Sequence, residues 1–250
     1  MTPPEPLDLP DLPRWIEAHG IAADPESWRR RLGGGFAVGH AVARLIVVAG
    51  AADPASVAAL AHELPHHTML IAIERKDLAR ATGRRVVRAV LHTLPAPAPA
   101  DGLDDAFPDL EGAVAPGPVP ADDLDGAFLD LEGAVPLPAE VSLAHLPEAL
   151  AAELERARGQ RTVWTAFVDE RPVSFAYAPW RSARWFDVSV DTLPEARQLG
   201  LGRIVAAAMI RDERVHGRAP VWGADDDNAA SLRLARSLGF VAVDALWVAT

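Results

Sequence analysis

Six consecutive residues, Arg197, Gln198, Leu199, Gly200, Leu201 and Gly202, constrain this chain more than any other stretch. Residues 184–192 before them are rich in aromatic and β-branched side chains and read as a strand. Residues 203–211 after them are rich in helix formers. A Gly-rich turn that opens a helix leaves several N–H groups unpaired and pointing one way. Together with the positive end of the helix dipole they make an anion site, most often for phosphate. Gly200 and Gly202 have no Cβ, so a phosphate can approach their backbone closely. The alternative is a loop whose glycines only turn the chain.

Three phosphate ligands compete. A nucleoside-triphosphate loop of the Walker type needs Lys and then Ser or Thr after its last Gly, but Arg203 and Ile204 follow here. A dinucleotide fingerprint needs Gly or Ala three residues after Gly202, and Val205 stands there. The acyl-CoA pattern, Arg/Gln-x-x-Gly-x-Gly/Ala, is met at every fixed position. The next segment supports it. Residues 220–224 read as a short strand, and a helix follows. Asp227 or Asn228 is its N-cap, Leu232, Leu234, Ala235 and Leu238 form its apolar face, and Gly239 ends it before Phe240.

With both motifs in place, the loop 197–202 and the run Asn228, Ser231, Leu234, Leu238, Gly239, Phe240, the chain resembles the GNAT superfamily of N-acetyltransferases. The resemblance is clearest over residues 139–250. A narrower likeness, to bacterial GNAT proteins with an extra N-terminal domain, rests on residues 172–178, 187–192 and 220–224. The resemblance implies an α+β architecture: a GNAT acyl-CoA N-acyltransferase fold, with a mixed, mostly antiparallel sheet flanked by helices, preceded by a smaller α/β domain. It implies acetyl-CoA as co-substrate, lying between the strand 184–192 and the strand at Pro220. The pyrophosphate is expected on the N–H groups of Gln198, Leu199, Gly200, Leu201 and Gly202, with Arg197 and Arg203 beside it. The pantetheine arm is expected on the backbone of Val190 and Thr192, with Asn228 and Ser231 on the other side.

The chemistry so implied is direct attack by a neutral primary amine, with N–H groups near Val190 stabilising the oxyanion. It needs a base for the amine and an acid for the thiolate. Asp187 is the expected base, with Asp191 and Asp225 as rivals. Tyr177, the sole tyrosine, is the candidate acid. The family's usual acid, a Tyr four residues before Gly239, is Ala235 here. That departure keeps a second function open: a CoA-binding sensor or scaffold with weak catalysis. A third idea is an interaction protein that uses the acidic segment described next.

Three regions are expected: an N-terminal α/β domain over 1–95, a linker over 96–138 and the acetyltransferase domain over 139–250. The first of these reads as a candidate degenerate GNAT-like half. The linker carries a duplication, residues 103–114 recurring at 124–135. Ten acidic and no basic residues between Pro99 and Val135 hold nearly all of the formal charge of −11. No basic footprint for nucleic acid remains. There is no cysteine, so disulfides and thiolate metal sites are excluded. His62-Glu63-Leu64-Pro65-His66 has the HExxH spacing, but Pro65 breaks the helix that zinc ligation requires, and no metal is expected. No apolar run has the length of a membrane span, and the acidic, Pro-rich start is unlike a secretory signal, so a cytoplasmic location is expected. The expected partner is a small-molecule or peptide amine, with homodimerisation left open.

Elsewhere the pattern predicts a largely helical stretch over 15–32, interrupted at Gly20 and Pro25. Strands are predicted over 44–49, 68–73 and 84–94, and helices from Asp53 to Leu64 and over 76–81. Trp164, Trp180, Trp185, Trp222 and Trp247 pack the core, or Trp180 or Trp222 lines an acceptor pocket.

Overall fold

The computed structural model describes residues 7–95 and 133–250. The linker duplication lies outside the described residues except for 133–135.

Two halves repeat one order of elements. The first runs α1 (Ile16–Ala23), β1 (Ser27–Leu32), β2 (Gly34–His40), β3 (Leu45–Ala51), α2 (Pro54–Glu63), β4 (Thr68–Ala72), α3 (Lys76–Ala81) and β5 (Val86–Thr93). After a short β6 (Ala134–Pro136) the second begins with α4 (Glu148–Gln160), β7 (Trp164–Val168) and β8 (Arg171–Tyr177). It continues with β9 (Trp185–Asp187), β10 (Ser189–Thr192), α5 (Leu201–Val215), β11 (Ala219–Asp225), α6 (Ala229–Ser237) and β12 (Val241–Ala249).

One sheet has the order β1-β2-β3-β4-β12-β5-β11-β9, and a second has β10-β8-β7-β6. The six strands of the first sheet from β3 to β9 are palindromic: exchanging β3, β4 and β5 for β9, β11 and β12 reverses their order and preserves every pairing sense. β3–β4 and β9–β11 are the parallel pairs, and β4–β12, β12–β5 and β5–β11 are antiparallel. Each half thus places its last strand between two strands of the other. The sheet runs continuously across residue 95, where the sequence pattern drew a domain boundary.

Local chemistry explains most elements. Asp53 caps α2 by accepting from the Ser56 amide at 2.8 Å, and Pro54 occupies the first turn. Asp169 and Glu170, both at positive φ, make the two-residue hairpin turn between β7 and β8. The helical reading of 15–32 holds only for α1. Ser27–Leu32 is an edge strand antiparallel to β2, and its consecutive arginines 29–31 sit on the sheet edge, where charge discourages further pairing. The strand 184–192 divides at Val188, because β9 pairs with β11 while β10 pairs with β8.

Helices cover both faces of the second half. α5 and α6 pack on Phe186, Val188, Trp222 and Phe240. α4 packs on the opposite face against Phe175 and Tyr177 through Leu154 and Ala157. α1 belongs to the first half yet shares a core with Trp180, Trp185 and Val221 of the second. Gly20 permits this approach: a Cβ there would stand 3.0 Å from the Trp180 Cβ and 3.2 Å from the Arg181 amide nitrogen.

Candidate active site

The gap between β10 and β11 is the feature that organises the site. β9 and β11 pair as far as Asp187 opposite Val221, and the Val188 amide still donates to Val221 O at 2.9 Å. Beyond Val188 the strands part, and β10 becomes an edge whose one neighbour is β8. Backbone direction alternates along a strand. Leu193 donates to Val173 of β8 at 2.8 Å, so residues 189 and 191 also face β8. Val190 and Thr192, in step with Val188, face the gap. An extended ligand can pair with that free edge as an added strand would.

The Gly-rich loop closes one end of the gap. Gln198 and Gly200 are left-handed, at φ 65° and 79°, and Gly200 is the N-cap of α5 with no side-chain cap on the helix. The Arg203 amide donates to Gly200 O at 3.0 Å, which leaves the amides of Leu201 and Gly202 for an outside acceptor. The two glycines differ in role. A Cβ on Gly200 would have nothing within 4 Å. A Cβ on Gly202 would stand 3.3 Å from Thr192 Oγ1 and 3.5 Å from Leu234 Cδ2 and Val190 Cγ1. A side chain on Gly202 would thus meet β10 and α6, whereas one on Gly200 would meet nothing. Arg197, Gln198 and Leu199 are exposed, and Arg197 Nε donates to Thr192 O at 3.2 Å. Leu201, Gly202 and Arg203 form the half-buried first turn of α5.

Across the gap, Asn228 caps α6 by accepting from the Ser231 amide at 3.1 Å. The Ser231 hydroxyl accepts from Trp222 Nε1 at 2.9 Å. Trp222 and Trp180 are both buried in core clusters, with Trp222 edge-on to Phe240 and Trp180 against Gly20. The acceptor-pocket reading of these two tryptophans therefore yields to core packing. A cavity of about 690 Å³ between residues 139–146 and α4 includes none of the residues of the gap.

Carboxylates gather on the face of β9 and β10 away from α5. Phe186 and Val188 point into the α5 core, so Asp187 points the other way, and Asp191 shares its side. Tyr177, which is 1% exposed, donates from its hydroxyl to Asp191 Oδ2 at 3.0 Å. Burial, with Glu153 and Asp191 adding negative charge, pushes the Tyr177 hydroxyl well above its ordinary range, so it holds its proton. Glu153 of α4 is raised by burial, then by Asp191. Burial first, and Glu153 second, push the half-buried Asp187 up to about 7. Glu17 of α1, raised to about 8 by burial and then by Asp187, completes the group. Neither Glu17 nor Glu153 was legible as a site residue, because each lies on a helix remote in sequence from the motifs. Asp225, the other candidate base, is four residues along β11 from Val221 and so about 13 Å from the apex.

Two metal readings fail on geometry. α2 ends at Glu63, so His62 and His66 do not share a helix. Asp24, Glu26 and His40 cluster, with His40 Nε2 3.3 Å from Asp24 Oδ1. However, His40 Nδ1 accepts from the Ala43 amide at 3.0 Å. A neutral ring then carries its proton on Nε2, which faces the carboxylates as a donor and not as a metal ligand.

Residues 164–247, from β7 into β12, match the family model described as GNAT acetyltransferase. Over that span the chain carries a GNAT acetyltransferase domain. Solved structures agree on the fold. A GCN5-related N-acetyltransferase-like protein from Streptococcus suis 89/1591 has a TM-score of 0.63 and 17% identity, covering 96% of this chain and 93% of its own. A GCN5-related N-acetyltransferase from Kribbella flavida has a TM-score of 0.53 and 19% identity, covering 94% and 93%. No curated protein matches the chain. No helix among the described residues is long and apolar enough to cross a membrane.

Proposed function

We propose that the protein transfers the acetyl group of acetyl-CoA to a primary amine of a small molecule or peptide, one that is cationic at neutral pH. The observation that carries this reading is the free edge of β10. It has an uncapped, Gly-initiated helix at one end and the Asp187 carboxyl at the other. Acetyl-CoA supplies an activated acetyl group as a thioester. The amides of Gln198 to Gly202 hold its pyrophosphate, and those of Val190 and Thr192 align its arm. Asn228 spends its side-chain oxygen on the Ser231 amide, which leaves its NH2 as the group that meets the arm. Asp187, half-buried and titrating near neutrality, takes the proton of the incoming ammonium. The four carboxylates Glu17, Glu153, Asp187 and Asp191 favour a cationic acceptor over a neutral one.

Calorimetry with acetyl-CoA, followed by thiol release across a panel of primary amines, tests the reading. Micromolar binding and release with at least one amine are expected; no binding overturns it.

A second reading, a CoA-binding module with weak catalysis, has an observation in its favour. Ala235 occupies the position of the family's acid, and the Tyr177 hydroxyl is committed to Asp191. Tight binding with no thiol release would select it.

A further inference from the structure

Among the described residues, one carboxylate near the gap has no local explanation. Glu17 stands in the first turn of α1, in the half of the chain that does not carry the 197–202 loop. Its Oε2 atom is buried and accepts no hydrogen bond. A buried acceptor left unmatched is costly, and more so when charged. The helix that carries it has little freedom to retreat. Trp15, Ile16 and Ile21 share a core with Trp180, Trp185 and Val221. Trp185 Nε1 also donates to Asp11 O at 3.0 Å, which ties the approach to α1 onto β9. A methyl group on Gly20 would press on Trp180 and the Arg181 backbone at 3.0–3.2 Å.

Arg14, Arg181 and Arg218 are engaged away from the pair Glu17 and Asp187. Arg181 and Arg218 bind Glu213, and Arg14 binds Asp244 and Glu74. Facing the pair from α4 is another carboxylate, Glu153, with Asp191 and Tyr177 behind it and Arg156 3.9 Å from Glu153 on the same helix. Asp11, on the segment before α1, accepts from the Arg184 amide at 3.1 Å. Two adjacent carboxyl groups in such surroundings do not both ionise; they retain one proton between them. A proton on Glu17 would remove the charge from the unmatched oxygen.

We propose that Glu17, from the N-terminal half, and Asp187, at the apex of the gap, share one proton, and that Glu17 is thereby the positioning residue for the base of the acetyl transfer. The proposal rests on the acetyltransferase reading for its use, but not for its existence. The step is a proton transfer. The N–H bond of the acceptor ammonium breaks and an O–H bond forms on the pair, whose charge goes from −1 to 0. The pair then releases that proton to water. The N-terminal half thus supplies part of the active site, although it carries none of the loop.

The test is a 13C-carboxyl NMR titration of the full chain without ligand, for the wild type, Glu17→Gln and Asp187→Asn. The wild type should show two coupled steps, the last proton leaving well above the ordinary carboxylate range. In Glu17→Gln, Asp187 should titrate in a single step lowered by about one pH unit or more, and Asp187→Asn should lower Glu17 comparably. Asp187 left unmoved in Glu17→Gln, together with Glu17 left unmoved in Asp187→Asn, would overturn the proposal. If acetylation is observed, the acidic limb of kcat/KM should coincide with the first coupled step in the wild type and with the single Asp187 step in Glu17→Gln, and a limb at neither position would deny the pair its role in the transfer. Coupled titration with no acetylation of any amine would instead leave the shared proton standing and remove the acetyltransferase reading.

Discussion

Gly200 offers a perturbation whose parts can be separated. Its φ of 79° is left-handed, which costs a residue with a Cβ about 1–2 kcal/mol. Nothing lies within 4 Å of where that Cβ would be, so no clash adds to the strain. Gly200→Ala and Gly200→Glu should therefore lose similar stability, lowering Tm by about 2–8 °C in a domain of this size. They should differ in CoA binding. A carboxylate about 5 Å from a pyrophosphate charge opposes it by about 3 kcal/mol at an effective dielectric of 20, and by about 0.8 kcal/mol in bulk water. The exposed loop lies between these limits, so Gly200→Glu should bind CoA roughly 4- to 250-fold more weakly than Gly200→Ala. Calorimetry at low salt and at 0.5 M salt, where the screening length falls to roughly 4 Å, should see that gap narrow. Pantetheine, which lacks the pyrophosphate, should bind both variants alike. Equal CoA affinities for the two variants at low salt would refute the assignment of this loop to phosphate.

Glu213, 1% exposed and within 3.4 Å of Arg161, Arg181 and Arg218, should cost about 3 kcal/mol when changed to Gln, seen as a Tm lower by roughly 6 °C or more. Gly20→Ala gains helix propensity but presses on the Trp180 side chain and the Arg181 backbone, so a net loss of about 1–2 kcal/mol in denaturant unfolding is expected. Glu17 and Asp187 are raised above their unfolded values, so the folded chain holds protons that the unfolded chain has released. Stability should therefore fall as pH rises from about 5 to about 8, with Tm lower by roughly 5 °C, and Asp187→Asn should flatten the slope. Residues 134–250 expressed alone should fail to fold, because both neighbours of β12 lie in the first half; circular dichroism should show recovery on mixing with residues 1–95.

What the sequence could disclose was local. The helix start at Asp53, the opening of α5 at the Gly-rich loop and the cap at Asn228 each follow from a few adjacent residues, and each appears where expected. What stayed hidden depends on partners far away in the chain. Residues 184–192 look like one strand, and the break at Val188 exists only because β8 and β11 claim successive parts of it. The run of arginines in β1 mimicked a helix surface until its place at a sheet edge was known. Glu17 and Glu153 carry no motif, and their closeness to Asp187 is a property of how α1 and α4 pack.

The two halves share a framework and differ at one joint. In the first half β3 pairs on both sides over Leu45–Val48, and α2 begins only two residues after β3 ends. Its N-terminus is filled from within: the Asp53 carboxylate takes the Ser56 amide and hydroxyl, both at 2.8 Å. An internal anion thus occupies the place where the second half leaves its amides uncapped. In the second half eight residues separate β10 from α5, and the helix opens on a glycine that offers no side chain of its own. The same strand–helix joint is therefore closed in one half and open in the other. The closed half still shapes the gap: β4 and β5 hold β12, β5 flanks β11, and α1 packs on β9 with Glu17 toward Asp187. Those contacts give the loop-free half a physical reason to keep its fold.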